Sequence, residues 1–227
     1  MTTPRTIALD GPAGVGKSTV GRLLADRHGY LFLDTGVLYR AVSLEAIRRG
    51  VAATDGAGLT TVARNLDILM LRAEPDSDRM YIVRLAGEDV TDGLRSPQVE
   101  AIVSQVSAHP DVRAALLERQ REIARSSRSV LVGRDIGTTV LPDADFKVYL
   151  DASVEERARR RHRERLAKDP LFPYERVVEE LKHRDKLDSG RAASPLRIPE
   201  DALVIDTNGK DVEAVLSEIE AEMGLQR

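Results

Sequence analysis

Residues 11–18 read Gly-Pro-Ala-Gly-Val-Gly-Lys-Ser, the spacing G-x-x-x-x-G-K-S of a phosphate-binding loop. Its glycines let the backbone fold until several N–H groups point inward at phosphate oxygens. A helix starting near Gly16 adds the positive end of its dipole. At that loop Lys17 reaches the β- and γ-phosphates of a nucleoside triphosphate, and Ser18 ligates Mg²⁺. The loop says that a nucleotide is held, not what is done with it. The Asn-Lys-x-Asp segment by which GTPases read guanine does not occur.

Arginine is dense in the segments that follow apolar runs. Asp34-Thr35-Gly36-Val37-Leu38-Tyr39-Arg40 follows one such run and Gly133-Arg134-Asp135 another. Arg157, Arg159, Arg160 and Arg161 crowd a later helical pattern, and Arg184, Asp188 and Arg191 lie further on. Moving a phosphoryl group between two anions poses a problem of charge, because donor and acceptor repel. The transition state also spreads negative charge over three equatorial oxygens, and guanidinium groups answer with always-ionised, bidentate donors. An acceptor phosphate is already anionic, so no strong general base is required. Taken singly, each arginine also fits a solvated helix face, above all those of Arg157–Arg165. Arg40 and Arg134 stand apart because they follow strands, where open α/β sheets bind ligands.

Two other functions fit a phosphate loop. A kinase acting on a hydroxyl acid such as shikimate needs a carboxylate base, for which Asp34 is the candidate. A nucleotide-responsive switch binds ATP but has no use for arginines facing a second phosphate.

Elements must place these groups. The patterning predicts strands at Arg5–Leu9, Tyr30–Leu33, Ser129–Val132, Phe146–Leu150 and Ala202–Ile205. Helices are expected at Lys17–His28, Val37–Arg49, Val154–Leu166, Tyr174–Lys186 and Val212–Met223. Strands separated by helices imply an α/β fold with a parallel central sheet covered on both faces. One stretch breaks the rhythm. Leu66–Arg72 and Arg79–Leu85 alternate around Ala-Glu-Pro-Asp-Ser-Asp, and Gly87-Glu88-Asp89 and Thr91-Asp92-Gly93 follow as turns. This predicts a small antiparallel β insertion, placed where it would shape a substrate site.

Bulk properties narrow the classes. The 227 residues are 42% hydrophobic with no Trp, so Leu, Val, Ile and Ala must fill the core. A net charge of −3 argues against nucleic-acid binding by bulk charge. The absence of Cys excludes disulfides and thiolate metal sites and suits a reducing cytoplasm. No segment reads as a signal peptide or a membrane span.

Over nearly its whole length the chain resembles the bacterial cytidylate kinases of the nucleoside-monophosphate kinase group. The carrying stretches are ALDGPAGVGKSTVGRLLA, FLDTGVLYRA, GEDVTDGLRSPQVEAIVSQVSAHPDVRAALLERQR, GRDIGTTVLPDADFKVYLDASVEERARRR, and RDKLDSGRAASPL followed by DALVIDT. The resemblance implies a P-loop, nucleoside-monophosphate kinase-like fold transferring phosphate from ATP to CMP or dCMP with Mg²⁺. It implies one kinase domain: a core of 1–36, 108–156 and 190–227, a monophosphate-binding region 37–107, and a lid of about 157–189. ATP would contact Gly11, Pro12, Ala13, Gly14, Val15, Gly16, Lys17, Ser18, Thr19 and Arg157. Thr35, Tyr39 and Arg40 would hold the monophosphate side, with Ser104 and Arg113 near the cytosine. Arg134 would clamp the acceptor phosphate, Asp135 read the base, Asp188 the ribose, and Arg191 the base or its surroundings. Arg160 and Arg184 would join Lys17 and Arg134 at the reacting phosphates as the lid closes. Asp135 suits cytosine chemically: a carboxylate accepts from the N4 amino group, whereas uracil would face it with an oxygen. The family also points to a cytoplasmic monomer. One departure is Val132, where the family pattern often has Asp, so no site is assigned there.

Overall fold

The computed structural model describes residues 3–72, 79, 81–167 and 169–224. They divide into two compact units, one of Met1–Leu33 with Arg121–Arg227 and one of Asp34–Gln120.

The first unit is built on a five-stranded sheet, which the strand β2 (Leu31–Asp34) reaches with its last residue at the boundary. The other strands are β1 (Thr6–Asp10), β6 (Ser129–Val132), β7 (Phe146–Asp151) and β8 (Leu203–Asp206), in the order β2-β6-β1-β7-β8. β1 runs parallel to both neighbours, and β8 runs parallel to β7. The central strands are apolar on both faces, as a sheet covered twice requires: β6 is buried at every residue. Ile7, Leu9, Val130, Val132, Val148, Leu150 and Ile205 pack with Val20 and Leu24 of α1 (Lys17–His28) and with Leu216 and Ile219 of α8 (Val212–Glu222). Val132 is therefore a core residue at the end of β6. Helices α6 (Val154–Leu166) and α7 (Tyr174–Gly190) form a second cluster, in which Ala158, Val177 and Leu181 pack on Ala13 of the phosphate loop. A five-residue π turn, Ile136–Val140, lies between β6 and β7.

The second unit holds α2 (Gly36–Arg48), α3 (Gly56–Arg64), α4 (Pro97–Val106) and the N-terminal part of α5 (Pro110–Ser126). It also holds a three-stranded antiparallel sheet of β3 (Ile68–Arg72), β4 (Tyr81–Leu85) and β5 (Glu88–Asp89). The expected β insertion is thus present, and the connector 73–78 lies outside the described residues.

Two readings change. Glu88 and Asp89, expected in a turn, pair with Leu85 and Arg84 as β5. The turn is the two-residue link Ala86-Gly87, with φ of 47° and 86°. That is the primed geometry hairpins favour, with an alanine where glycine or asparagine is the usual signal. Second, α3, α4 and α5 occupy stretches where patterning alone places no element. Asp55 accepts the Gly58 N–H at the start of α3, and Ser96 accepts the Val99 N–H ahead of Pro97 at the start of α4.

Candidate functional site

In the first unit the loop at residues 11–18 joins β1 to α1. Gly11 is held at φ 147°, and a Cβ there would collide with the Leu150 carbonyl oxygen, so only glycine lets the loop leave the sheet this way. α1 starts after Gly16 with no side-chain cap, whereas Ser153 and Asp211 cap α6 and α8. Its first N–H groups are thereby left to the loop and whatever the loop holds. Lys17 is only 5% exposed and donates from Nζ to the Pro12 carbonyl at 2.6 Å. That bond curls the lysine back over the loop.

Asp10 ends β1 and is 1% exposed. It accepts the N–H groups of Ile136 and Gly137 at 2.8 and 2.7 Å. Burial pushes its carboxyl up to about 6. The two N–H bonds and Lys17 oppose that rise, while Asp135 adds to it.

Beyond β6, Arg134 donates from Nε to Asp188 at 2.9 Å. Burial pushes the Asp188 carboxyl up, but the guanidinium groups of Arg134, Arg184 and Arg191 outweigh it and hold the pKa below the usual carboxylate value. Arg191 also lies 3.4 Å from Asp135 and donates to the Ser194 carbonyl at 2.5 Å. The fold thus gathers Arg134, Asp135, Arg184, Asp188 and Arg191, which are scattered over 58 positions of sequence, into one network.

Arg157 and Arg160 of α6 are both engaged with protein groups in this conformation. Arg157 is 4% exposed; it donates to the carbonyls of Ala152 and Ala13, each at 3.1 Å, and forks onto Asp185 at 3.1 and 2.7 Å. Arg160 pairs with Glu156 at 2.9 Å and ties Thr207, beyond β8, to the Val15 carbonyl at 3.4 Å. Both are struts of the phosphate loop in this conformation. Sequence inspection missed their partners, Asp185 and Thr207, because nothing local marks a residue whose role is to hold another.

In the second unit Thr35 and Tyr39 are buried. Arg113 lies over the Tyr39 ring, 5.2 Å from its centroid, and donates to the Ser107 carbonyl at 3.1 Å. Arg40 bonds to Glu100 at 2.8 Å and to the Leu94 carbonyl at 3.2 Å. Ser104 lies half-buried on α4, and its carbonyl accepts the Ser107 hydroxyl at 3.0 Å. Asp34 accepts the Gly36 N–H at 3.0 Å, so the base that a hydroxyl-acid kinase needs is engaged at the start of α2. Tyr81 and Arg95, which the sequence reading did not single out, hydrogen-bond each other with Asp34 and Arg40 nearby.

Ser18 is a hard oxygen donor beside Lys17, which suits Mg²⁺ carried largely by phosphates and water. Among the described residues no group of three or more His, Cys, Asp or Glu offers an all-protein metal cage. No described helix is long and apolar enough to cross a membrane.

The family model described as "Cytidylate kinase" matches residues 7–224. A cytidylate kinase of Caldanaerobacter subterraneus is 47% identical over 94% of this chain and 92% of its own length. One of Herpetosiphon aurantiacus is 44% identical over all of this chain and 97% of its own. Among solved structures, an uncharacterized protein from Eubacterium ventriosum is similar in fold, with a TM-score of 0.52 at 13% identity over 97% of this chain and 98% of that one.

Proposed function

The chain belongs to the cytidylate kinase family and phosphorylates CMP with ATP, and from that premise we propose which residues carry the transfer. ATP lies along Gly11–Thr19, with its terminal phosphates under the N-terminus of α1 and against Lys17. Ser18, with phosphate oxygens and water, would hold Mg²⁺, which would supply charge neutralisation on the donor. Arg157 contacts ATP beside the Ala13 carbonyl it braces, and Arg160, which rests near the Val15 carbonyl, joins the reacting phosphates as the lid closes.

The acceptor phosphate is clamped by Arg134, with Arg184 closing on the reacting group. Asp188 holds the ribose, and Arg191 with Asp135 reads cytosine. Thr35, Tyr39 and Arg40 hold the monophosphate side, and Ser104 and Arg113 stand near the base. The observation that carries this reading is the set of three guanidinium groups gathered on buried Asp188. Such groups are fixed before substrate arrives, so little reorganisation is needed when charge develops on the transferring phosphoryl group. The acceptor oxygen is already anionic, so the transfer needs no general base, and the carboxylates of the network serve binding instead.

The kinase is one functional domain: a core of 1–36, 108–156 and 190–227, a monophosphate-binding region of 37–107, and a lid of about 157–189 that expels water on closing. We take dCMP as a second acceptor and the protein as a cytoplasmic monomer without nucleic-acid partners, in keeping with its net charge of −3. An ADP-release assay with CMP, dCMP, UMP, AMP and shikimate tests the assignment. Turnover is expected with CMP and dCMP and to be far weaker with UMP. Equal turnover on UMP overturns the base-reading role of Asp135, and turnover on shikimate alone overturns the acceptor site.

A further inference from the structure

Asp135 stands at the N-cap of the π turn Ile136–Val140, yet makes no capping bond to it. An aspartate in that place ordinarily accepts an N–H of its own helix. Here those donors are taken from outside. The carboxylate of Asp10, at the end of β1, accepts Ile136 N–H on one oxygen and Gly137 N–H on the other.

The opposite end of the turn is held in the complementary way. Arg121, on α5, donates from Nε to the Val140 carbonyl at 3.0 Å and from a terminal nitrogen to the Thr139 carbonyl at 3.1 Å. The turn itself closes through bonds from Val140 N–H to the Asp135 carbonyl and from Leu141 N–H to the Ile136 carbonyl, at 3.1 and 2.7 Å. A negative group at the N-terminal end and a positive one at the C-terminal end both match the dipole of the turn. Space is closed as well: a Cβ at Gly137 would stand 2.9 Å from Pro199 Cγ and 3.1 Å from Lys147 Cδ. A π turn is rare and intrinsically weak. Four bonds from two distant charged residues explain why this one persists next to a ligand-reading residue.

We propose that Asp10 and Arg121 are positioning residues for pyrimidine recognition. By clamping the two ends of the π turn they set where Arg134 and Asp135 stand, and Asp10 relieves Asp135 of capping so that its carboxylate serves the base. This rests on the assignment of Asp135 to cytosine made above.

The test compares R121M, R121K, D10N and D135N in the full chain. It measures KM for CMP, the ratio of kcat/KM for CMP over UMP, and the Kd of ATP. Methionine keeps the packing of the arginine stem but donates nothing. R121M is expected to raise KM for CMP about tenfold and to lower the CMP-to-UMP ratio, with the Kd of ATP unchanged. R121K keeps the positive charge and a single donor nitrogen and should recover part of the loss. D10N keeps one accepting oxygen and turns an amino group toward the second N–H, so it should shift the same two quantities. If D135N raises KM for CMP while R121M and D10N leave it untouched, the positioning role is wrong and the base assignment stands. If D135N itself changes neither KM nor the ratio, the base assignment has failed. If R121M weakens CMP and ATP by the same factor, Arg121 is general support and the proposal is overturned.

Discussion

Asp10 and Asp188 are both buried carboxylates of the first unit, 1% and 5% exposed, and their charges are governed in opposite ways. Around Asp10 the partners are two neutral backbone N–H groups. Burial wins there, helped by Asp135, and the carboxyl is pushed up to about 6. Around Asp188 three guanidinium groups outweigh burial and hold the carboxyl down. Depth is the same, so the partners decide. Neutral donors suit a group that shapes backbone, whereas a permanent anion spaces cations that would otherwise repel one another. In the reading proposed above, Arg134 and Arg184 turn from Asp188 to phosphate oxygens when substrate binds.

The contrast can be tested in order of size. R134A removes the nearest cation from Asp188. With saturating CMP, kcat is expected to fall about 10³-fold, roughly 4 kcal/mol of barrier, while the folded state survives on Arg184 and Arg191. Unchanged turnover in a coupled ADP assay would show that the cluster is structural. D188N leaves three guanidinium groups without their central anion and should cost about 3–5 kcal/mol in urea unfolding at pH 7. The sign follows from the depressed pKa: the Asp188 contribution is present above the ordinary carboxylate value and is lost as pH falls through the lower folded value. The deficit of D188N should therefore shrink in acid.

D10N reverses that direction. A carboxyl raised from 3.8 to about 6 lends its stability below pH 3.8 and loses it as pH rises through 6. Between pH 4 and pH 7, unfolding free energies of D10N and wild type should move about 2 kcal/mol relative to each other, in favour of the variant. Parallel curves would mean that Asp10 is ordinary. The smallest effect lies away from both carboxylates. Ser153 accepts the Glu156 N–H at 3.2 Å, so S153A should cost about 1 kcal/mol of stability and leave kcat unchanged.

Several elements were legible before any coordinates. Lys17–His28, Ser129–Val132 and Val154–Leu166 coincide with the helix and strand limits read from patterning. Each has an unambiguous apolar period and a clear stop or start, such as Gly29 in the left-handed conformation after α1. The helices α3, α4 and α5 were not placed. For α4, which bears Glu100 and Ser104, the Ser96-Pro97 pair is a local start signal in the sequence.

The phosphate loop could be recognised from eight letters, because its chemistry is carried by neighbours in the chain: glycines that free the backbone, a lysine and a serine at fixed offsets. The same holds for the family, whose segments are local. The bracing of Arg157 by Asp185, the gathering of three arginines on Asp188, and the clamp of Asp10 and Arg121 on one π turn were not visible there. Those partners lie between 3 and 127 positions apart, and only folding sets the distance and burial that decide whether a charge is held, spent or raised in pKa.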